Sequence, residues 1–267
     1  MSSPLDAMLS AAVQASRLIL EVYASDFNVE YKAPSDPVTR ADQLANEAIC
    51  KHLQMAFPGV PIVAEESDPE TYANFRNSER ILFVDPLDGT REFVAKNGEF
   101  VVMIGLVEGE HARHGVVLAP TRDMAWLGSV DVGAYAVTGN GVRHPVSPRH
   151  APALAGAHVV TSRSQRSASL DRVLQSAQVA EIAPLGSAGL KAASVATGEA
   201  DAYAALGPAG RRWDVCAPDA LVHAAGGLFT NAHGERFDYR AADLTNLQGI
   251  AAATPTVHAE LIRLLSA

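Results

Sequence analysis

The sequence predicts an α+β fold in two sub-domains, and three observations carry that prediction. Its 267 residues stand at the length where a single hydrophobic core stops growing and a chain divides. The first half reads as two amphipathic helices followed by a run of hairpin strands, whereas the second half alternates strands with helices in the manner of α/β layering. Between them, the stretch from Gly139 to Pro152 holds three prolines and two glycines. It marks a boundary between a first sub-domain over residues 1–147 and a second over 148–267.

The elements follow in order. Leu5, Met8, Leu9, Ala12, Val13, Ile19 and Leu20 recur at helical spacing, so the chain opens with an amphipathic helix running to Tyr23. A second helix is predicted with Thr39 as its N-cap and Leu44, Ala45, Ala48, Ile49 and Leu53 on one face, ending at Pro58-Gly59. Ile62-Val63-Ala64 reads as a buried strand running into Glu65-Glu66, and Ile81 to Val84 as another running into Asp85. Phe100 to Val107, Gly115 to Leu118, Met124 to Leu127 and Ala134 to Val137 then form an antiparallel set of hairpins. In the second half, strands are expected near Val159, Ile182, Ala202 to Leu206, Leu228 and Ile250, with helices after Ser187, Asp214 and Pro255.

Composition narrows the function. The hydrophobic fraction of 48% with 19% charged residues describes an ordinary globular chain. A net charge of -9 excludes a protein that coats nucleic-acid polymers, which needs clustered Lys and Arg. An acidic protein that handles phosphate must cancel the repulsion locally, with metal cations or helix N-termini. Cys50 and Cys216 are too few for a disulfide framework and read as free thiols. No apolar run approaches the ~20 residues of a membrane span, and Asp6, Ser10, Gln14 and Arg17 interrupt any signal-peptide core. A cytoplasmic protein is expected. The nine histidines lack catalytic or zinc spacing, and His111 and His114 are expected to be solvated in a hairpin.

The most informative segment runs from Ile81 through Asp85-Pro86-Leu87-Asp88-Gly89-Thr90 to Phe93. A buried strand delivers Asp85, Pro86 keeps it extended, and Asp88-Gly89-Thr90 turns the chain toward a helix near Arg91. That exit aims two carboxylates, the Leu87 carbonyl and the N–H groups of Gly89 and Thr90 at one place, a setting for a hard divalent cation beside a phosphate. Glu65, at the end of its own strand, reads as a further contributor to the carboxylate cluster. Asp42 and Asp214 fall where helices begin, so each is a candidate either for the cluster or for a helix cap. Thr161-Ser162-Arg163-Ser164 ends a strand with groups able to hold phosphate or sugar. Gly186-Ser187-Ala188-Gly189 resembles an anion-binding helix start with Lys191 behind it, although either stretch also reads as an ordinary loop. Arg211 and Arg212 read as surface charges able to attract an anion.

Four segments together resemble the signatures of the inositol-monophosphatase superfamily. They are Val38-Thr39-Arg40-Ala41-Asp42, the acid pair at Glu65, Asp85 to Thr90, and Trp213 to Gly227. The resemblance implies a layered α-β-α-β-α sandwich of the inositol monophosphatase and fructose-1,6-bisphosphatase type. It implies two or three Mg2+ ions held by Glu65, Asp85, the Leu87 carbonyl, Asp88 and Asp214. It further implies that Thr90 and Asp42 orient and deprotonate the attacking water with Glu65 beside them, and it sets the capping role of Asp42 aside. Gly89, Thr90, Ser162, Gln165, Ser187, Lys191 and Asp214 would then bind substrate. Within the superfamily, the Asp-Gly-Thr-Arg-Glu-Phe segment, Gly186 to Lys191 and Gly198 to Tyr203 are most similar to the 3'(2'),5'-bisphosphate nucleotidases. The implied substrate is 3'-phosphoadenosine 5'-phosphate, and the implied setting is sulfur assimilation. Gln165 stands where those enzymes commonly carry a His, which keeps an inositol or sugar phosphate in view. An aspartyl-phosphate mechanism is disfavoured because Pro86 occupies the nucleophile's place. A non-catalytic metal-binding regulator of the same fold is the alternative of another class. A monomer or homodimer is expected.

Overall fold

The computed structural model describes residues 3–33, 36–165 and 167–266. Helices α1 (Pro4–Tyr23) and α2 (Arg40–Ala56) flank a short antiparallel hairpin of β1 (Val29–Ala33) and β2 (Asp36–Thr39). A seven-stranded sheet follows in the order β3 (Ile62–Ala64), β4 (Arg80–Asp88), β5 (Val101–Glu108), β6 (His111–Ala119), β7 (Met124–Ser129), β8 (Gly133–Thr138) and β9 (Arg143–Val146). Helix α3 (Thr90–Val94) interrupts it after β4. The second half adds strands β10 (His158–Ser162), β11 (Glu181–Leu185), β12 (Ala202–Ala205), β13 (Leu228–Thr230) and β14 (Ile250–Ala253), paired in the order β11-β10-β12-β14-β13. Its helices are α4 (Ala168–Ser176), α5 (Ala188–Thr197), α6 (Arg212–Ala224) and α7 (Pro255–Leu265).

Five layers result, as expected from the resemblance. Side chains alternate along β4: Leu82 and Val84 join the core under α1 and α2, while Ile81 and Phe83 join the opposite one with α5, α6 and the inner face of the five-stranded sheet. The outer face of that second sheet packs on Leu170 and Leu174 of α4 and Val257 and Leu261 of α7. Each such aliphatic side chain, fully buried, contributes about 1.5–3 kcal/mol.

One contact fixes how the layers meet. Gly105, Gly115 and Gly128 lie side by side on β5, β6 and β7. A Cβ on them would stand 2.5 Å from Cys216 Sγ, 2.4 Å from the Ala217 carbonyl oxygen and 2.5 Å from Leu221 Cα. The three glycines form a trough in which the backbone of α6 rests on the sheet of the other half. Asp214, in the first turn of α6, is thereby held over the ends of β3 and β4.

The structure amends several expectations. Strand β9 lies inside the stretch assigned to a linker. Its residues are largely exposed and include Pro145, so it pairs only as an edge strand and carries no apolar alternation. Helix α4 and the β1-β2 hairpin were not anticipated, and α6 begins two residues before Asp214. His114 is not a freely solvated side chain: it packs 3.7 Å from Glu108, and burial lowers its pKa. Arg212 is half-buried over the Phe237 ring and donates from Nε to the Asp238 carbonyl, so it is not a free surface charge. Both cysteines are free. Among the described residues no helix is long and apolar enough to cross a membrane.

Candidate active site

The end of β4 builds the site. Pairing with β5 slips between Asp85 and Asp88, so that Pro86 and Leu87 bulge out of the ladder. Pro86 has no N–H to lose, and the Leu87 N–H turns back to Asp85 Oδ1 at 3.0 Å. Gly89 follows with φ 97°, a conformation open to glycine, and a Cβ there would stand 2.9 Å from the Glu99 carbonyl oxygen. The chain then enters α3. This bulge and left-handed turn bring the carboxylates of Asp85 and Asp88, three residues apart in sequence, to the same side.

Asp214 arrives from α6. It is not the N-cap but the third helical residue, and its Oδ2 accepts the Arg211 N–H at 2.6 Å, the carboxylate half of a capping box whose other half an arginine cannot supply. Carboxylate oxygens of Asp85, Asp88 and Asp214 all lie within 4.8 Å of one another. Glu65, which continues the β3-β4 pairing through its N–H to the Val84 carbonyl, lines the same cleft. Burial, then the charges of Glu65, Asp214 and Asp88, drive the Asp85 pKa well above the usual carboxylate range. Burial, with Asp88 and Glu65, does the same to Asp214. A cation among these oxygens would favour their ionised forms, and an all-oxygen donor set suits a hard divalent ion.

Asp42 sits next to this cluster and has two tasks. Its Oδ2 accepts from the Thr39 N–H and hydroxyl, each at 2.7 Å, in a capping box at the start of α2. Its Oδ1 accepts from Thr90 Oγ1 at 3.2 Å. The capping role therefore stands beside the contact with Thr90, because the two use different oxygens. Burial raises the Asp42 pKa to about 6, despite the hydrogen bonds from Thr39. The Thr90 hydroxyl also lies 3.2 Å from the Leu87 carbonyl oxygen, so its proton is shared between two acceptors.

A cleft of about 400 Å³ gathers the rest: Gly89, Ser162, Gln165, Ser187, Lys191, Glu65, Asp85, Leu87, Asp88, Thr90 and Asp214 all line it. Ser187 and Lys191 have protein partners there. The Ser187 hydroxyl donates to Asp88 Oδ2 at 2.5 Å and the Gly189 N–H to the same oxygen at 3.0 Å, so the anion at the start of α5 is the Asp88 carboxylate. Lys191 Nζ donates to the carbonyls of Ser187 and Leu185 and lies 5.3 Å from the centre of the Tyr203 ring. Burial lowers its pKa to about 8. Ser162 Oγ accepts the Gln165 N–H at 3.1 Å, shaping the exposed turn at the mouth. Arg91 and Tyr203 line the cleft as well and carried no separable signal in the sequence.

A model of the inositol monophosphatase family matches residues 2–267. The 3'(2'),5'-bisphosphate nucleotidase CysQ of Escherichia coli O157:H7 is 36% identical over 238 residues, covering 88% of this chain and 93% of that protein. Among solved structures, the extragenic suppressor protein suhB of Bartonella henselae superposes with a TM-score of 0.82 at 27% identity, over 99% of this chain and 98% of its own. CysQ of Bacteroides thetaiotaomicron does so with a TM-score of 0.79 at 28% identity, over 93% and 96%.

Proposed function

The chain belongs to the inositol monophosphatase family, and from that membership we propose a magnesium-dependent phosphomonoesterase that hydrolyses 3'-phosphoadenosine 5'-phosphate to AMP and phosphate. The observation that carries the reading is the contact between Thr90 Oγ1 and Asp42 Oδ1 beside the Asp85, Asp88 and Asp214 carboxylates.

Two or three Mg2+ ions would be held by Glu65, Asp85, the Leu87 carbonyl, Asp88 and Asp214. When bound they supply Lewis-acid charge that neutralises the phosphoryl and leaving oxygens. Thr90 Oγ1 would take a proton from the attacking water as it passes its own to Asp42 Oδ1, leaving hydroxide to attack phosphorus and Thr90 unchanged. Asp42 thus ends the relay as the acid, and its pKa of about 6 suits a base working near neutrality. The Gly89 and Thr90 N–H groups, at the start of α3, face the phosphate. No covalent phosphoenzyme is needed, since phosphoryl transfer asks chiefly for positioning and charge neutralisation. Ser162 and Gln165 at the mouth would meet the non-reacting part of the substrate, with Ser187, Lys191 and Asp214 bordering it further in. The halves 1–147 and 148–267 divide this work: the first provides most of the cluster, and the second provides Asp214 and the mouth. The enzyme would act in the cytoplasm, as a monomer or homodimer, on a by-product of sulfur assimilation.

The test is phosphate release from 3'-phosphoadenosine 5'-phosphate and from inositol 1-phosphate, with Mg2+ and with excess chelator. Preference for the nucleotide, abolished by chelator and reduced about 10²–10⁴-fold in kcat by Thr90→Val, is expected. A preference for inositol 1-phosphate would overturn the substrate. Absence of metal-dependent release from either would leave only a binding protein.

A further inference from the structure

Ser187 has φ 55° and ψ 135°, a backbone conformation that residues with a side chain rarely adopt. Strain of this kind persists only where the surroundings over-determine it, and it concentrates at working sites. Here the surroundings can be named. Glu99, in the connection from α3 to β5, accepts the N–H of Gly186 on Oε2 at 2.7 Å and holds Arg163 through two bonds of 2.9 and 2.8 Å. Arg163 in turn donates to the Pro184 carbonyl. On the other side of the turn, Lys191 holds the carbonyl of Ser187 itself.

Packing closes the remaining freedom. A Cβ on Gly186 would stand 2.6 Å from Glu92 Cγ and 2.8 Å from Glu99 Cβ, so this backbone lies pressed against the first half of the chain. The strained residue then delivers its hydroxyl to Asp88 Oδ2, alongside the Gly189 N–H. With that oxygen occupied from one side, the carboxylate plane of Asp88 is set.

We propose that Glu99 is a positioning residue for the metal cluster: by holding Gly186 and Arg163 it keeps Ser187 in its strained turn, and Ser187 fixes the orientation of Asp88. This rests on the reading of Asp88 as a metal ligand. Stability is not the main product of the Glu99–Arg163 pair, because Arg163 is 42% exposed and pairs so exposed contribute little to folding. Groups that orient a ligand from outside the coordination sphere govern affinity for the ion instead.

The experiment is a Mn2+ titration without substrate, following the free ion by electron paramagnetic resonance, with thermal unfolding midpoints recorded on the same samples. Glu99→Ala and Ser187→Ala are each expected to weaken Mn2+ binding about 10–100-fold. Glu99→Gln, which keeps an acceptor for the Gly186 N–H, should recover most of the loss. Mn2+ affinity within about twofold of wild type in Glu99→Ala, with only the midpoint lowered, would overturn the proposal. So would a Glu99→Gln protein as weak as Glu99→Ala whose deficit disappears in high salt, since that is loss of a distant charge. Should Glu99→Ala fail to fold, Ser187→Ala decides alone, because it leaves the clamp intact and removes only the hydroxyl; unchanged affinity there overturns the idea. Asp88→Asn separates the two levels of the reading: wild-type Mn2+ binding in that variant would remove the ligand assignment, and the positioning role with it.

Discussion

The floor of the cleft and its mouth are built on opposite terms. At the floor, Asp85 and Asp42 are 1% and 2% exposed, and four of the carboxylates are held by a backbone device: a bulge at Asp85 and Asp88, a capping box at Asp42 and the Arg211 N–H at Asp214. At the mouth, Ser164 and Gln165 are exposed on a loop. A buried group that has lost its water must be held by something specific, so the floor admits few residue types at each position. The mouth keeps its water and tolerates many. On the proposed function, chemistry and substrate choice would be written in parts of the molecule with very different freedom to change.

The sharpest way to break this contrast is at Asp214. Asp214→Asn keeps the side-chain shape and an acceptor for the Arg211 N–H while removing the charge. A loss in kcat/KM of about 10³-fold is expected, the worth of several kcal/mol of charge stabilisation. Steady-state kinetics at saturating Mg2+ check it; a loss under about tenfold would make the floor as tolerant as the mouth.

The floor should also reveal itself without substrate. Asp42, Asp85 and Asp214 hold their protons to higher pH than exposed aspartates, Asp42 to about 6 from 3.8, chiefly through burial. An acid with its folded pKa raised favours the folded state while protonated, and that advantage is lost as pH rises from the unfolded toward the folded value. For Asp42 alone this amounts to about 3 kcal/mol. The metal-free protein should therefore unfold at a falling temperature between about pH 4 and pH 6, with Mg2+ removing most of the slope. Below about pH 4 a different loss begins. There Asp201, held low by the Arg149 guanidinium although burial opposes it, takes up its proton and gives up its partner. A flat metal-free profile would show that the cluster is not strained by its charges.

The smallest effect belongs to the mouth. Gln165→Ala should shift the ratio of kcat/KM between the nucleotide and inositol 1-phosphate by less than about tenfold, a side-chain contact of ~1 kcal/mol, and leave the unfolding temperature unchanged. A collapse of both activities would place Gln165 with the floor.

The same contrast explains what could be read in advance. The Asp85–Thr90 turn was legible because Pro86, Gly89 and the buried strand before them are local signals, each required by the backbone path. The helix start at Thr39 was legible as a cap, whereas that of α6 was placed at Asp214, three residues beyond its cap at Arg211; the choice between cap and site at Asp42 was posed too narrowly, since one carboxylate has two oxygens. Helix α4 escaped because only Leu170 and Leu174 are buried, too little for a periodic stripe. Strand β9 escaped because Pro145 and an exposed edge erase the usual pattern. Glu99 could not be found at all: its partners Arg163 and Gly186 lie 64 and 87 residues away, and nothing around it distinguishes it from a solvated acid.

The three aligned glycines beneath α6 carry one more consequence, for the way the enzyme turns over. With the Ala217 backbone seated where a side chain would otherwise be, the two sheets share an unbroken core across the helix layer. Rotation of one half on the other would have to pull α6 out of its trough. On the proposed function, substrate would then arrive and product leave over the loops at the rim, without the two halves separating. In hydrogen exchange, the amides of α6 would be released only with global unfolding, while those of the 163–165 loop would be released by local opening.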